Sequence, residues 1–188
     1  MTLLIIGVLL WSAAHLMRAV APAFRQGLID RIGTQPFRGL VALLLVGAVV
    51  LIVLGWRSTP QEYLYVLPDA ARKIAVGLIC ISFFLIASAY TASSIKRVLR
   101  HPMLTGVFIW AGGHLLINGT TRALVLFGTL ATWSLLEIFL INRREGAYVK
   151  PERPNFSDEL KWIFLGAALV IVALLLHPKF AGVAVLPG

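Results

Sequence analysis

The sequence predicts an all-α, polytopic membrane protein that folds as a bundle of six transmembrane helices. The first observation behind this prediction is a shortage of charge, because only 13% of the residues are charged while 59% are hydrophobic. Soluble domains carry about a quarter charged residues, so this chain has too few charges to cover a surface that faces water. The second observation is a set of long apolar runs, and the third is the placement of Lys and Arg between them.

The apolar runs have the length of membrane-spanning helices, which need about 20 apolar residues. They cover residues 3–20, 40–54, 74–90, 123–141 and 160–176, with a shorter, glycine-rich sixth run at 103–117. None alternates polar and apolar residues in the way that is typical of barrel strands. Since no Lys or Arg precedes the first run, we expect it to be a retained helix and not a signal peptide.

Lys and Arg residues lie mainly in alternate gaps between these runs. Six helices leave three gaps on one side of the membrane, and these gaps hold most of the 17 Lys and Arg residues. They are Arg18, Arg25, Arg31, Arg38, Lys96, Arg97, Arg100, Arg143, Arg144, Lys150, Arg153 and Lys161. The positive-inside rule places these gaps in the cytoplasm and both termini on the opposite side. Without the short run the last cluster would change sides, so the charges favour six helices.

The net charge of +9 does not indicate nucleic-acid binding. Such binding needs a basic face on a folded module, whereas membrane topology already accounts for these cations. We therefore expect membrane lipids, and no nucleic acid, as partners. The chain has no nucleophile elbow, phosphate-binding loop, zinc-protease motif or dinucleotide fingerprint, so it shows no sign of the enzyme classes that these motifs identify.

Two histidines inside the apolar runs are the main candidates for chemistry, because ionisable groups are costly in the bilayer. His15 follows Ser12-Ala13-Ala14, and His114 follows Ala111-Gly112-Gly113. Small residues let a backbone approach a flat object, which is either a porphyrin or another helix. Neutral imidazole is a common ligand of metals and of haem iron. Two histidines on different helices could thus bind one iron from both faces, or they could hydrogen-bond across helix interfaces.

The depths of the two histidines constrain this pairing. At about 1.5 Å per residue, His15 lies roughly 9 Å from the cytoplasmic end of its helix, and His114 lies roughly 16 to 18 Å from its own. Helix tilt or a longer first helix must absorb the difference if both are to reach one iron atom.

Glu137 is the third ionisable residue inside an apolar run, and it lies in the half nearer the cytoplasm. Arg18 falls at a similar depth and on the same helix face as His15, three residues away. One interpretation is a Glu137–Arg18 ion pair that stabilises the bundle. The other is a catalytic Glu137, a proton donor or acceptor beside a bound cofactor that Arg18 helps to hold.

Arg100, His101 and Pro102 open the helix of the short run, and proline is well suited to the first helical position. Arg100 and His101 could bind an anionic group, such as a haem propionate, a phosphate or a lipid head group. Anchoring of the helix at the lipid interface is the simpler interpretation.

The chain resembles the NnrU family of small bacterial membrane proteins, which are named from denitrification gene clusters. The resemblance rests on residues 100–106, on Trp110 and the following Ala-Gly-Gly-His-Leu-Leu-Ile-Asn-Gly, on Ala14-His15-Leu16 and on residues 133–145. It covers essentially the whole chain. It implies a single transmembrane domain over residues 1–188 in the bacterial inner membrane. In that membrane, the positive-inside rule puts both termini on the periplasmic side.

The NnrU family is similar to 15-cis-zeta-carotene isomerase, a membrane enzyme that uses b-type haem. The two haem-ligand histidines of that enzyme match His15 and His114 here. The resemblance therefore implies haem b bound by His15 and His114, and redox-linked isomerisation of a lipid-soluble small molecule or support of nitrogen-oxide metabolism. It does not identify a redox partner.

The Arg100-His101-Pro102 opening also resembles membrane methyltransferases of the isoprenylcysteine and phospholipid class. This sequence departs from their pattern, because it has Leu104 where they have Tyr and a single Glu145 where they have paired Glu residues. Methyl transfer on the cytoplasmic face is therefore one alternative to the haem hypothesis. A non-enzymatic assembly or transport factor is the other.

Overall fold

The computed structural model describes residues 1–183, and these residues form helices joined by short loops. Within them there is no strand beyond one isolated bridge between Tyr63 and Thr120. The chain divides into two compact units, Met1–Gln61 and Glu62–Gly188.

The first unit is a pair of long helices with a short helix between them. Helix α1 spans Thr2–Val20, α2 spans Pro22–Ile32 and α3 spans Thr34–Ser58. Pro22 is at the start of α2, where its missing N–H is not needed. No residue of α2 is buried, and the apolar-run pattern did not predict this helix because α2 is a mixture of polar and apolar residues.

Glycines bring α1 and α3 close together. A Cβ atom on Gly7 would lie 2.8 Å from the backbone nitrogen of Ile52. A Cβ atom on Gly55 would collide with the backbone of Leu4, a residue that is fully buried. In lipid, where apolar surface gains little by leaving its surroundings, such close backbone packing is a main source of helix association.

The described part of the second unit, residues 62–183, has five helices. Helix α4 spans Asp69–Ala89, α5 is the single turn Ile95–Val98, α6 spans Pro102–Ile117, α7 spans Thr121–Glu145 and α8 spans Phe156–Ala181. Helix α4 packs against both α6 and α8, and α6 also packs against α7. Near its start α7 contains a π-helical segment, Leu124–Gly128.

Side-chain and glycine signals mark the helix ends in this unit. Pro102 begins α6, as the sequence predicts. The side chain of Asn155 caps α8 by accepting a hydrogen bond of 2.9 Å from the N–H of Asp158, and asparagine is a preferred residue at this position. Gly146 ends α7 with a φ of +69°, a conformation that side chains with a Cβ rarely adopt.

The prediction of an all-α, multi-pass membrane protein is confirmed. Each of the six predicted apolar runs lies within a helix, to within one residue. Within residues 1–183, five helices are long and apolar enough to cross a membrane. The exception is α6, whose 16 residues extend about 24 Å at 1.5 Å per residue. Large apolar side chains such as Leu43 and Val46 are 72% and 62% exposed, as lipid-facing residues are. The count of six spans and the placement of the termini stay predictions.

Candidate functional site

His15 lies in the last third of α1 and is half-buried. Its Nδ1 is 2.9 Å from the carbonyl oxygen of Trp11, one helical turn earlier. The indole ring of Trp11 also lies against the imidazole, with 4.5 Å between the ring centroids. One residue, four positions back, therefore orients the ring through both a hydrogen bond and a ring contact.

His114 lies near the end of α6 and has the same local arrangement. Its Nδ1 is 2.9 Å from the carbonyl oxygen of Trp110, and the two ring centroids are 4.5 Å apart. On another side the imidazole stacks on Phe127 of α7, with a centroid distance of 4.5 Å and an interplanar angle of 24°. His114 is only 8% exposed, so its ring is held by aromatic residues from two helices.

The hydrogen bond decides which nitrogen of each imidazole carries the proton. A carbonyl oxygen only accepts, so Nδ1 must donate. In the neutral ring the lone pair then lies on Nε2. A histidine that ligates a metal through Nε2 commonly donates its Nδ1–H to a backbone carbonyl in this way. Both histidines are therefore in the ligand-competent tautomer.

The two tryptophans are the part of the site that the sequence predictions missed. Their signal is present in the chain, since Trp11 and Trp110 each precede a candidate histidine by four residues. Phe127 has no comparable signal. It contacts His114 because α7 packs on α6 and because it lies in the π-helical segment, a feature that often occurs at functional sites.

A backbone pairing holds the chain beside the end of α6 that carries His114. The N–H of Leu64 donates to the carbonyl of Gly119 over 2.7 Å, and the N–H of Thr121 donates to the carbonyl of Glu62 over 2.9 Å. The Tyr65 hydroxyl donates to the carbonyl of Leu115 over 2.5 Å. Gly119 has no room for a Cβ atom because Tyr65 lies against it. The turn between α6 and α7 is thus held by hydrogen bonds to residues 62–65.

The predicted partners of the histidines lie in different units of the chain. His15 and Arg18 belong to the first unit, and His114 and Glu137 belong to the second. The sharing of one iron by His15 and His114, and the ion pair of Arg18 with Glu137, therefore stay predictions. Glu137 is 8% exposed, and Arg18 is exposed in the last turn of α1.

Arg100 and His101 are brought together with the end of α7. The Arg100 guanidinium donates to the carbonyl of Gly146 over 2.6 Å and lies 3.3 Å from a carboxylate oxygen of Glu145. It also lies over the ring of Tyr148, 5.5 Å from the centroid. The Nε2 atom of His101 is 2.9 Å from Oδ1 of Asn142. These contacts fix the start of α6 to the segment that follows α7.

An open cavity of about 440 Å³ lies beside these residues. Its lining combines basic side chains with apolar ones, among them Lys96, Arg100, His101, Leu104 and Ile141. Within residues 1–183 there is no group of three or more His, Cys, Asp and Glu side chains placed to hold a metal ion.

Comparison with known protein families identifies the family of the chain's sequence. A family model described as "NnrU protein" matches residues 3–185, and so covers nearly the whole chain. No curated protein and no solved structure matches significantly.

Proposed function

Since the chain belongs to the NnrU family and is a multi-pass membrane protein, we propose that it binds b-type haem with His15 and His114 as axial ligands. The observation that carries this proposal is the arrangement common to both residues. Each imidazole donates Nδ1–H to the carbonyl of a tryptophan four residues earlier, so each neutral ring keeps a lone pair on Nε2 for iron.

The donor set fits haem iron. Imidazole is an established axial ligand of haem, and two imidazoles complete the coordination of the iron. Trp110 and Phe127 both contact the imidazole of His114, and so hold it in one orientation, as a ligand to iron requires. When bound, the haem would supply a one-electron redox centre whose potential is set by its ligands and their hydrogen bonds.

Two further residues have proposed roles near the cofactor. Arg18 lies three residues after His15 on the same helix, and we assign its cation the attraction of a carboxylate of the haem. Glu137 is buried in α7. An ionisable group in a membrane-spanning helix is costly, so it is a candidate for a functional role. We assign Glu137 the transfer of a proton to or from a substrate at the cofactor.

The activity we propose is redox-linked isomerisation of a lipid-soluble molecule, or support of nitrogen-oxide metabolism, in the bacterial inner membrane. What supports it is the family membership together with apolar, lipid-facing helices, from which such a molecule can reach the histidines without crossing water. Both versions need the same cofactor, so the cofactor is tested first.

The test is the visible spectrum of the full chain, purified in detergent from cells with ample haem, before and after reduction with dithionite. We expect a Soret band and sharp b-type α and β bands, and their loss in His15→Ala and in His114→Ala. His177→Ala is the matched control, because this histidine lies near the end of α8 and is not a proposed ligand. Folded, colourless wild-type protein overturns the proposal.

A non-enzymatic assembly or transport role is the second candidate. The stacking of His114 on Phe127 favours it, because this contact joins α6 to α7 without any cofactor. It predicts a colourless protein in which His114→Ala lowers the unfolding temperature. Tight binding of S-adenosylmethionine by the same sample would instead support the methyltransferase alternative.

A further inference from the structure

We propose that the cavity at the start of α6 binds the phosphate of an anionic membrane lipid. This cavity, called the basic groove below, lies between α5, the first turn of α6, the end of α7 and residues 146–151. Its lining includes Lys96, Arg100, His101, Met103, Leu104 and Ile141. It is independent of the two proposed haem ligands.

Hydrogen bonds between distant segments build the walls of the groove. The Tyr148 hydroxyl donates to the carbonyl of Lys96. The Arg97 guanidinium donates to the carbonyl of Pro151 over 2.9 Å, and Arg100 donates to the carbonyl of Gly146 over 2.6 Å. The segment after α7 is therefore fastened along α5 and the start of α6, and the groove is a built feature of the fold.

The charge of the groove suits a phosphate. Lys96, Arg100 and His101 line it, and among residues 1–183 no carboxylate does. Glu145 lines the adjoining cavity, which shares Arg100 and His101 with the groove, and it is paired there with both Arg100 and Arg144. The Lys96 ammonium has no hydrogen-bonding or ion-pair partner in the described part of the chain. The N-terminus of the 16-residue α6 adds the positive end of a helix dipole to the same place.

The apolar part of the lining identifies the ligand as a lipid rather than a free ion. Met103, on α6, is 38% exposed, and Ile141, on α7, is half-buried, so the apolar lining of the groove is continuous with helix surface that can face lipid. A volume of about 440 Å³ accommodates a head group and leaves the acyl chains to lie along these helices. The predicted cytoplasmic side is also where anionic lipids attract Lys and Arg.

Distance separates the groove from the proposed haem site. His101 and His114 are thirteen residues apart on α6, which is about 20 Å along the helix axis at 1.5 Å per residue. Among the anionic groups considered for Arg100 and His101, a lipid phosphate therefore fits better than a propionate of a haem held by His114.

Lipid binding is measured on the delipidated full chain in neutral detergent, by native mass spectrometry and by thermal unfolding. Phosphatidylglycerol, phosphatidylcholine and inorganic phosphate are titrated separately. We expect phosphatidylglycerol to stay bound and to raise the unfolding temperature, with little effect from the other two. Equal stabilisation by phosphatidylcholine overturns the proposal. Equal stabilisation by inorganic phosphate also overturns it, because the ligand would then be a free anion.

Lys96→Gln locates the site. It keeps the backbone carbonyl that accepts from Tyr148, so the groove should stay intact while one cation is lost. We expect phosphatidylglycerol to bind about fivefold more weakly, since a cation near anionic lipid contributes about 1 kcal/mol. Lys73→Gln removes the same charge from an exposed position in the first turns of α4 and should leave the affinity unchanged.

Equal affinities of the two variants for phosphatidylglycerol overturn the assignment. An unchanged haem spectrum in Lys96→Gln keeps this test separate from that of the cofactor.

Discussion

At the scale of single residues, a hydrogen bond within one helical turn lowers the cost of placing a histidine side chain in a membrane. An imidazole N–H without a partner is costly in hydrocarbon, and in both candidate histidines the carbonyl one turn back accepts it. For His15 this carbonyl belongs to Trp11, and for His114 it belongs to Trp110. The bond orients the ring as well as satisfying it. A ligand role and a packing role therefore start from the same geometry, and only the presence of iron distinguishes them.

Phe127 provides the residue-scale prediction. Its ring is 5% exposed and contacts both His114 and Trp110. Phe127→Leu should destabilise the protein by about 1 kcal/mol, since an aromatic pair contributes about that much beyond its buried area. Thermal unfolding in detergent measures the loss. Phe139→Leu, at a 61% exposed position of the same helix, is the control, and equal unfolding temperatures for the two variants would refute the role of the stack.

At the scale of helices, close approach at glycine determines which surfaces meet. Gly106 and Gly113 are seven residues apart, so they lie on one face of α6, and both face α4. A Cβ atom on Gly106 would lie 2.9 Å from the carbonyl oxygen of Ser82. One on Gly113 would lie 3.1 Å from that of Ala75. Gly113, just before His114, therefore allows α4 to approach α6 closely. The sequence suggested two uses for small residues there, the approach of a porphyrin or of another helix, and Gly113 has the second.

Gly106→Ala tests this packing away from His114. The added methyl group should push α6 away from α4 and lower stability by about 1 to 3 kcal/mol, as overpacking does. Gly112→Ala is the matched control, because nothing lies within 4 Å of a Cβ atom there. That change should be neutral or slightly stabilising, since alanine favours a helix over glycine. Unfolding curves that rank the two variants in the opposite order would contradict the packing described.

At the scale of the whole molecule, the membrane topology depends on whether α6 crosses the membrane. Five helices meet the length and hydropathy expected of a span, while α6 is an apolar helix of only 16 residues. If α6 crosses the membrane, residues 146–155 lie on the cytoplasmic side with the other basic gaps. If it does not, they lie outside, against the positive-inside rule and against the hydrogen bonds that join Gly146 and Pro151 to Arg100 and Arg97.

Cysteine labelling of intact cells distinguishes the two topologies. In a Cys80→Ser background, which removes the native thiol, Glu62→Cys should react with a membrane-impermeant maleimide. Gln26→Cys and Glu152→Cys should react only after the cells are opened. Labelling of Glu152→Cys from outside, with Gln26→Cys still protected, would show that α6 does not cross.

The amino-acid sequence was enough to predict the class of the protein, the positions of the apolar helices and the candidate ligands. These follow from hydropathy and from the type of single residues, which are local properties of the chain. It also contained the Trp-to-His spacing, because a contact between positions four apart needs only a helix.

The tertiary structure alone decided what surrounds those residues. The placement of Phe127 on His114 depends on how α6 and α7 pack and on a π-helical turn, which the residue types do not predict. The basic groove joins α5, α6 and residues 146–151 through hydrogen bonds between positions about 50 residues apart, such as Tyr148 with Lys96 and Arg97 with Pro151. Such contacts depend on how the helices pack together, and the hydropathy of the sequence does not predict this packing.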